Sequence, residues 1–141
     1  MTGQVDRVAL DTSAAVALVS SSHPAHQIAV RALRGRVPVL TGHSLAETYS
    51  VLTRLPGDAR VAPADVVLLF ADTFGPAVCL SPAVTADVPR HLADRQVSGG
   101  AVYDALVGLA AVEAQLTLLT RDGRAATTYR SIGVGFEFVA N

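Results

Sequence analysis

The chain has 141 residues, of which half are hydrophobic and 16% charged, and its net charge at neutral pH is −1. A chain of that length buries about two-thirds of its unfolded surface, so a packed core is expected and intrinsic disorder is excluded. No overall field draws so neutral a molecule to nucleic acid or to an anionic membrane, and any site for a polyanion must be built locally.

Short β-like runs alternate with longer helical ones, the pattern of an α/β fold with a mainly parallel central sheet flanked by helices. The opening segment Met1 to Arg7 contains Asp6 and is no cationic leader, and the apolar stretch Ala14–Val19 is too short to span a bilayer. The expectation is a soluble, cytoplasmic protein. Val8–Asp11 reads as a buried strand ending in a carboxylate, and Thr12 or Ser13 can cap a helix that runs to about Ser20. Pro24 suits the first turn of a second helix that reaches Leu33 and is stopped by Gly35. Val37–Leu40 is a short strand whose proline, Pro38, predicts limited pairing. Helices follow over His43–Leu55 and Pro63–Phe74, ended by Pro56-Gly57 and Gly75-Pro76. Ala77–Leu80 reads as a third strand, and Pro82–Gln96 as a helix weakened at Pro89. Ser98-Gly99-Gly100 breaks the chain before a helix over Ala101–Gln115. Leu116–Thr120 is a fourth strand, Gly123–Tyr129 a short helix and Gly135–Val139 a last strand. No repeat, low-complexity tract or linker divides residues 1–141, which read as one domain.

Residue chemistry narrows the function. One cysteine, Cys79, excludes an intrachain disulfide and a cysteine-rich zinc centre, and its place in a buried strand makes it a packing residue. All eleven basic residues are arginine, so a Walker P-loop and a Schiff-base lysine are excluded. Asp104 is the one charge in Ala101–Val112, a helix apolar on every side; its burial calls for a bound cation, an arginine partner or the helix dipole. Asp11 and Asp122 follow apolar strands, where open α/β sheets gather their ligands and where aspartate also caps helices. Taken singly, each reads as a cap. Glu47 lies on a polar helix face and alone reads as solvated. Brought to one crevice above the sheet, two acids at strand ends and two on helices would form a hard-oxygen set suited to Mg²⁺ or Mn²⁺ and to phosphoryl transfer by a metal-activated water.

The segments Leu10–Ala14, Ser44–Tyr49, Tyr103–Val107 and Leu119–Asp122 resemble the four acidic motifs of the PIN-domain nucleases, in family order and over nearly the whole chain. The likeness is to the ribonuclease toxins of VapBC-type toxin–antitoxin pairs. The resemblance implies a PIN-like nuclease domain over residues 1–141 that cleaves RNA with Mg²⁺, or Mn²⁺ in its place. Asp11, Glu47, Asp104 and Asp122 would be its acidic quartet, with Asp11, Asp104 and Asp122 as metal ligands. Thr120 matches the hydroxyl residue two before the last acid, and Ser13 would help to orient the site. It implies, further, a small antitoxin whose C-terminal segment covers the site. Arg121 and Arg95 are candidates for contact with RNA phosphates. The apolar run Val66–Phe70 is assigned in part to a homodimer or antitoxin interface, with core packing as the alternative. His23 and His26, one helical turn apart, read as solvated, and His43 and His91 as lone histidines. Two other readings stand beside the nuclease. A phosphatase of the haloacid-dehalogenase type would want Asp-x-Asp after the first strand, where Ser13 stands instead; in a non-catalytic α/β binding module the acids would only cap helices.

Overall fold

The computed structural model describes residues 5–140; Met1 to Gln4, part of the opening segment read above, and Asn141 lie outside the described residues. Strands β1 (Arg7–Leu10), β2 (Val37–Leu40), β3 (Leu118–Thr120) and β4 (Phe136–Phe138) form one parallel sheet in the order β2-β1-β3-β4. They are joined by helices α1 (Thr12–Val19), α2 (His26–Ala32), α3 (Gly42–Thr53), α4 (Pro63–Thr73), α5 (Pro82–Asp94), α6 (Ala101–Glu113) and α7 (Gly123–Ile132), with one 3-10 turn at Gly57–Ala59. Among the described residues no helix is long and apolar enough to cross a membrane.

Side chains alternate across a strand, so each short apolar run feeds two faces. Val8, Leu10, Leu40 and Leu119 point to one face and pack on Ala14, Ala15 and Ala17 of α1 and Ala29 of α2, with Phe70 and Phe74 at the margin. Ala9, Val39 and Leu118 point to the other face and meet Val107 and Ala111 of α6 and Ala125 and Tyr129 of α7. A third cluster joins Leu92 of α5 to Ala105 and Leu109 of α6 and Ile132 of α7. Helix α7 ends at Gly133, whose φ of 83° is the left-handed conformation that closes a helix and that a side chain resists.

Two expectations about the sheet edge need correction. Ala77–Leu80 is not a strand: it makes one bridge, Thr41 to Val78, before Ser81 and Pro82 start α5. Cys79 is consequently exposed rather than packed. Pairing at β2 is not limited either, because Pro38 lies in register with Val8 and all four residues pair with β1. The proline is tolerated because β2 is an edge strand and the missing N–H falls on its outer side. On that side the Gly75 N–H donates to the Pro38 carbonyl at 3.0 Å and the Val78 N–H to the Leu40 carbonyl at 2.9 Å. Gly75 comes so close that a Cβ there would stand 3.1 Å from Val37 Cγ1. A strand edge that would invite pairing with another chain is covered in this way.

Boundaries moved by small amounts. Helix α2 starts at His26, since Pro24 sits in the preceding turn, where the Ala25 N–H donates to His23 Nδ1. Helix α3 starts at Gly42 with Thr41 and Ser44 as a reciprocal capping box. Helix α5 runs through Pro89 without a break. On α4, Val66 is buried, whereas Val67 and Leu68 are each 65% exposed.

The chain leaves β1 for β2 on one side and returns through α3–α6 to β3 on the other. That reversal opens a crevice at the carboxyl ends of β1 and β3.

Candidate active site

The crevice measures about 460 Å³ and is lined by Asp11, Glu47, Asp104 and Asp122 together with Ser13, His23, His43 and Arg121. Residues from β1, α3, α6 and the end of β3, up to 111 positions apart in sequence (Asp11 to Asp122), thus share one opening.

Asp11 is the buried anchor of this site, at 5% exposed. It, and not Thr12 or Ser13, caps α1: its Oδ1 accepts from the Ala14 N–H at 3.1 Å and from Ser13 Oγ at 2.6 Å. Its Oδ2 accepts from Thr120 Oγ1 at 2.5 Å and from the Tyr129 hydroxyl at 2.7 Å. Donors on both oxygens hold the plane of this carboxylate. Two of these donors, Thr120 and Ser13, also tie the strand ends together. Thr120 Oγ1 accepts from the Asp122 N–H at 3.0 Å, and Ser13 Oγ accepts from the Arg121 N–H at 2.8 Å.

Asp122 caps α7, accepting from the Arg124 N–H at 2.9 Å, and is exposed. Capping and a place in the crevice are therefore not alternatives for Asp11 and Asp122; each does both. Glu47 is half-exposed, and its Oε2 meets His43 Nε2 at 2.9 Å, one turn earlier on α3. Asp104 lies in the first turn of α6, and none of the described residues donates a hydrogen bond to its side chain. Burial, reinforced by the negative charges of Asp11, Asp122 and Glu47, pushes its carboxyl up to about 6.

Residues 8–130 match the model of the PIN domain. The chain belongs to the PIN-domain family. It is 50% identical over 127 residues to ribonuclease VapC27 of Mycobacterium tuberculosis, covering 90% of this chain and 93% of that protein. It is 45% identical over 133 residues to ribonuclease VapC40 of the same species, covering 94% and 98%. Among solved structures, the fold matches VapBC2 from Rickettsia felis bound to a promoter DNA fragment (TM-score 0.65, 14% identity, 94% of this chain and 98% of that one). It also matches Mycobacterium tuberculosis VapC20, a Sarcin-Ricin loop cleaving toxin (TM-score 0.64, 20% identity, 85% and 93%). This PIN domain is thus of the VapC type, and its class of enzyme is nuclease.

Of the two arginines singled out, Arg121 lines the crevice of the PIN domain, with its guanidinium anchored on the Val139 carbonyl. Arg95 does not. It ends α5, folds back on the His91 carbonyl at 3.2 Å, and accepts through its own carbonyl from Ser131 Oγ at the far end of α7. It is not among the residues that line the crevice, so nearness in sequence to Asp104 was no guide to its place.

Three residues at the site escaped the sequence reading. Tyr129 reads as the end of a short helix but is the largest fully buried side chain and a donor to Asp11. His43 stands four residues before Glu47, a helical spacing that was there to be noticed. His23 and His26 diverge: His23 reaches the crevice, where burial and then the Arg121 charge lower its pKa, and His26 Nδ1 bonds the Ala17 carbonyl. They form no metal pair.

Among the described residues, no three histidine, cysteine, aspartate or glutamate side chains are gathered tightly enough to enclose an ion by themselves. An open crevice of hard oxygens fits a divalent cation that keeps several of its waters among the carboxylates, which is the habit of Mg²⁺. The elevated carboxyl of Asp104 is a second mark of fit, since a cation is what would relieve it.

Proposed function

We propose that this PIN domain, over residues 1–141, is a Mg²⁺-dependent endoribonuclease that hydrolyses RNA phosphodiesters with water as the nucleophile, Mn²⁺ serving in place of Mg²⁺. It acts in the cytoplasm as the toxin of a toxin–antitoxin pair. The observation that carries the reading is Asp104: a half-buried carboxylate with three more acids around it and no hydrogen-bond donor to it among the described residues. Such a cluster is costly as a scaffold and makes sense where a cation is bound.

Asp11, Asp104 and Asp122 would hold the cation. When bound, that ion lowers the pKa of water and offsets charge building on phosphate oxygens. Asp11 cannot rotate, because donors on both its oxygens fix its plane; a ligand held this way needs no reorganisation during turnover. Ser13 and Thr120 act through it as orienting residues. Glu47 spends Oε2 on His43 and keeps Oε1 free to accept a hydrogen bond from the attacking water. Arg121 places a cation at the rim for the RNA phosphate.

An acidic crevice is best covered by an arginine, whose planar fork matches carboxylates, and we assign that part to a cognate antitoxin. Val67 and Leu68, large and exposed on α4, offer a surface for that partner or for a second copy in a homodimer.

Incubation of the purified protein with structured RNA tests the reading. Cleavage should require Mg²⁺ or Mn²⁺, stop in chelator, and leave 5′-phosphate and 3′-hydroxyl ends. Products ending in 2′,3′-cyclic phosphate would show the ribose 2′-hydroxyl to be the nucleophile and overturn the mechanism.

A further inference from the structure

Helix α6 buries Ala105, Val107, Gly108, Leu109, Ala110 and Ala111, yet Tyr103, directly before Asp104, is 56% exposed. Its ring is stacked on the His43 imidazole, with centroids 5.3 Å apart and planes 17° from parallel. His43 is held in turn by Glu47 at 2.9 Å and lines the crevice, so the pair stands at the rim of the acidic site. His43 and His23 are the aromatic rings of the crevice lining, and Tyr103 stands just outside it, against His43.

RNA binding normally draws on phosphate neutralisation by basic residues. This chain has a net charge of −1, and its crevice sets one arginine, Arg121, against four acids. Inside the crevice, affinity for an RNA strand needs a source other than charge. Stacking of unpaired bases on aromatic rings is insensitive to that charge, and a flat ring already fixed by a stacked neighbour loses little freedom on binding. We infer that the stacked His43–Tyr103 pair is a nucleobase platform, on which an unpaired base of single-stranded RNA lies beside the phosphodiester to be cleaved. The inference deepens the RNA-cleaving reading and rests on it. Glu47 gains a second role as the group that orients the imidazole under Tyr103.

The test compares the full-length parent with Tyr103→Leu and Tyr103→Phe. Binding of a labelled single-stranded RNA is followed by anisotropy in chelator, and cleavage of the same RNA is followed with Mg²⁺. Tyr103→Leu should raise Kd and KM by about tenfold to a hundredfold, the usual effect of losing one stacked base, and Tyr103→Phe by no more than about twofold. Thermal melts should be alike, because the ring is exposed. An abasic residue placed at each RNA position in turn probes the same contact with the fold untouched. One position should lose as much affinity as Tyr103→Leu does, and combining the two should cost no more. Cleavage by the parent with unchanged Kd and KM in Tyr103→Leu overturns the platform and leaves the nuclease standing. Tight, Tyr103-dependent binding with no cleavage under any cation keeps the platform and overturns the nuclease. A parent that neither binds nor cleaves RNA overturns both.

Discussion

Asp11, on the sheet side of the crevice, accepts four hydrogen bonds; Asp104, on the helix side, accepts none from the described residues. Both are carboxylates in one opening, and both are withdrawn from solvent. The difference is in what offsets the charge. Asp11 is met by neutral donors from its own turn, from β3 and from α7, so its charge is compatible with a stable fold without help from outside. Asp104 faces Asp11, Asp122 and Glu47, with His43 alone acting the other way, and on the metal-dependent reading proposed above a cation would make its charge tolerable. One half of the site is thus preorganised by hydrogen bonds, and the other carries a charge that none of the described residues offsets with a hydrogen bond.

The sharpest way to break this contrast is Asp104→Asn. RNA cleavage should fall by about 10²- to 10³-fold or more, as for loss of a charge-stabilising group, while the metal-free protein melts no lower than the parent because repulsion is relieved. A variant that melts lower and still cleaves would make Asp104 a helix-dipole residue and erase the contrast.

Divalent cation comes next. Mg²⁺ or Mn²⁺ at a hundred times its Kd should stabilise the parent by about 2.7 kcal/mol, seen as a rise in melting temperature that chelator reverses. Asp104→Asn should gain clearly less. Equal shifts in both proteins would place the ion elsewhere.

On the other side, Tyr129→Phe and Thr120→Val remove donors to Asp11 with little change in volume. Each should cost about 1.5–3 kcal/mol in urea unfolding, the range for hydrogen bonds to charged groups. Their effect on stability is opposite in sign to that of Asp104→Asn. Neutral outcomes would mean that Asp11 needs fewer partners than it has.

The smallest effect is on pH dependence. The Asp104 carboxyl lies near 6 in the folded protein, above its ordinary 3.8, so the folded state binds that proton more tightly than the unfolded one. The stability it contributes is full below about pH 4 and is lost as pH rises through 6. In chelator, the melting temperature of the parent relative to Asp104→Asn should therefore climb as pH falls from 7 to 5. A flat difference over that window would contradict the burial of this carboxyl among like charges.

Much of this architecture was legible in the chain. The alternation of apolar runs with helical periods placed all four strands within a residue or two of where they lie, because runs such as Val8–Leu10 and Leu118–Leu119 are buried on both faces and read as continuous hydrophobics. The spurious strand Ala77–Leu80 has the same local look. What denies it a ladder is its neighbours in three dimensions: it meets the outer edge of β2 for a single bridge before α5 begins. Cys79 was misread for the same cause.

At the site, the four acids were picked out as a set by the resemblance of their motifs; singly, Asp11 and Asp122 read as caps and Glu47 as solvated. The ambiguity between cap and ligand for Asp11 and Asp122 arose from physics common to both roles, since a carboxylate at a strand end meets a helix N-terminus in either case. The residues that brace Asp11 were another matter. Thr120 was suggested only by resemblance, and Tyr129 not at all. They lie 109 and 118 positions from Asp11. Local periodicity determined which segments become strands and helices, and hence that several acids would sit at element ends. Only the tertiary structure, by inserting β1 between β2 and β3 and packing α7 beneath, decided which hydroxyls reach Asp11 and which carboxylate is left bare. Hydrogen-bond partners so distant in sequence are set by strand order and helix packing, and nothing in a local pattern encodes them.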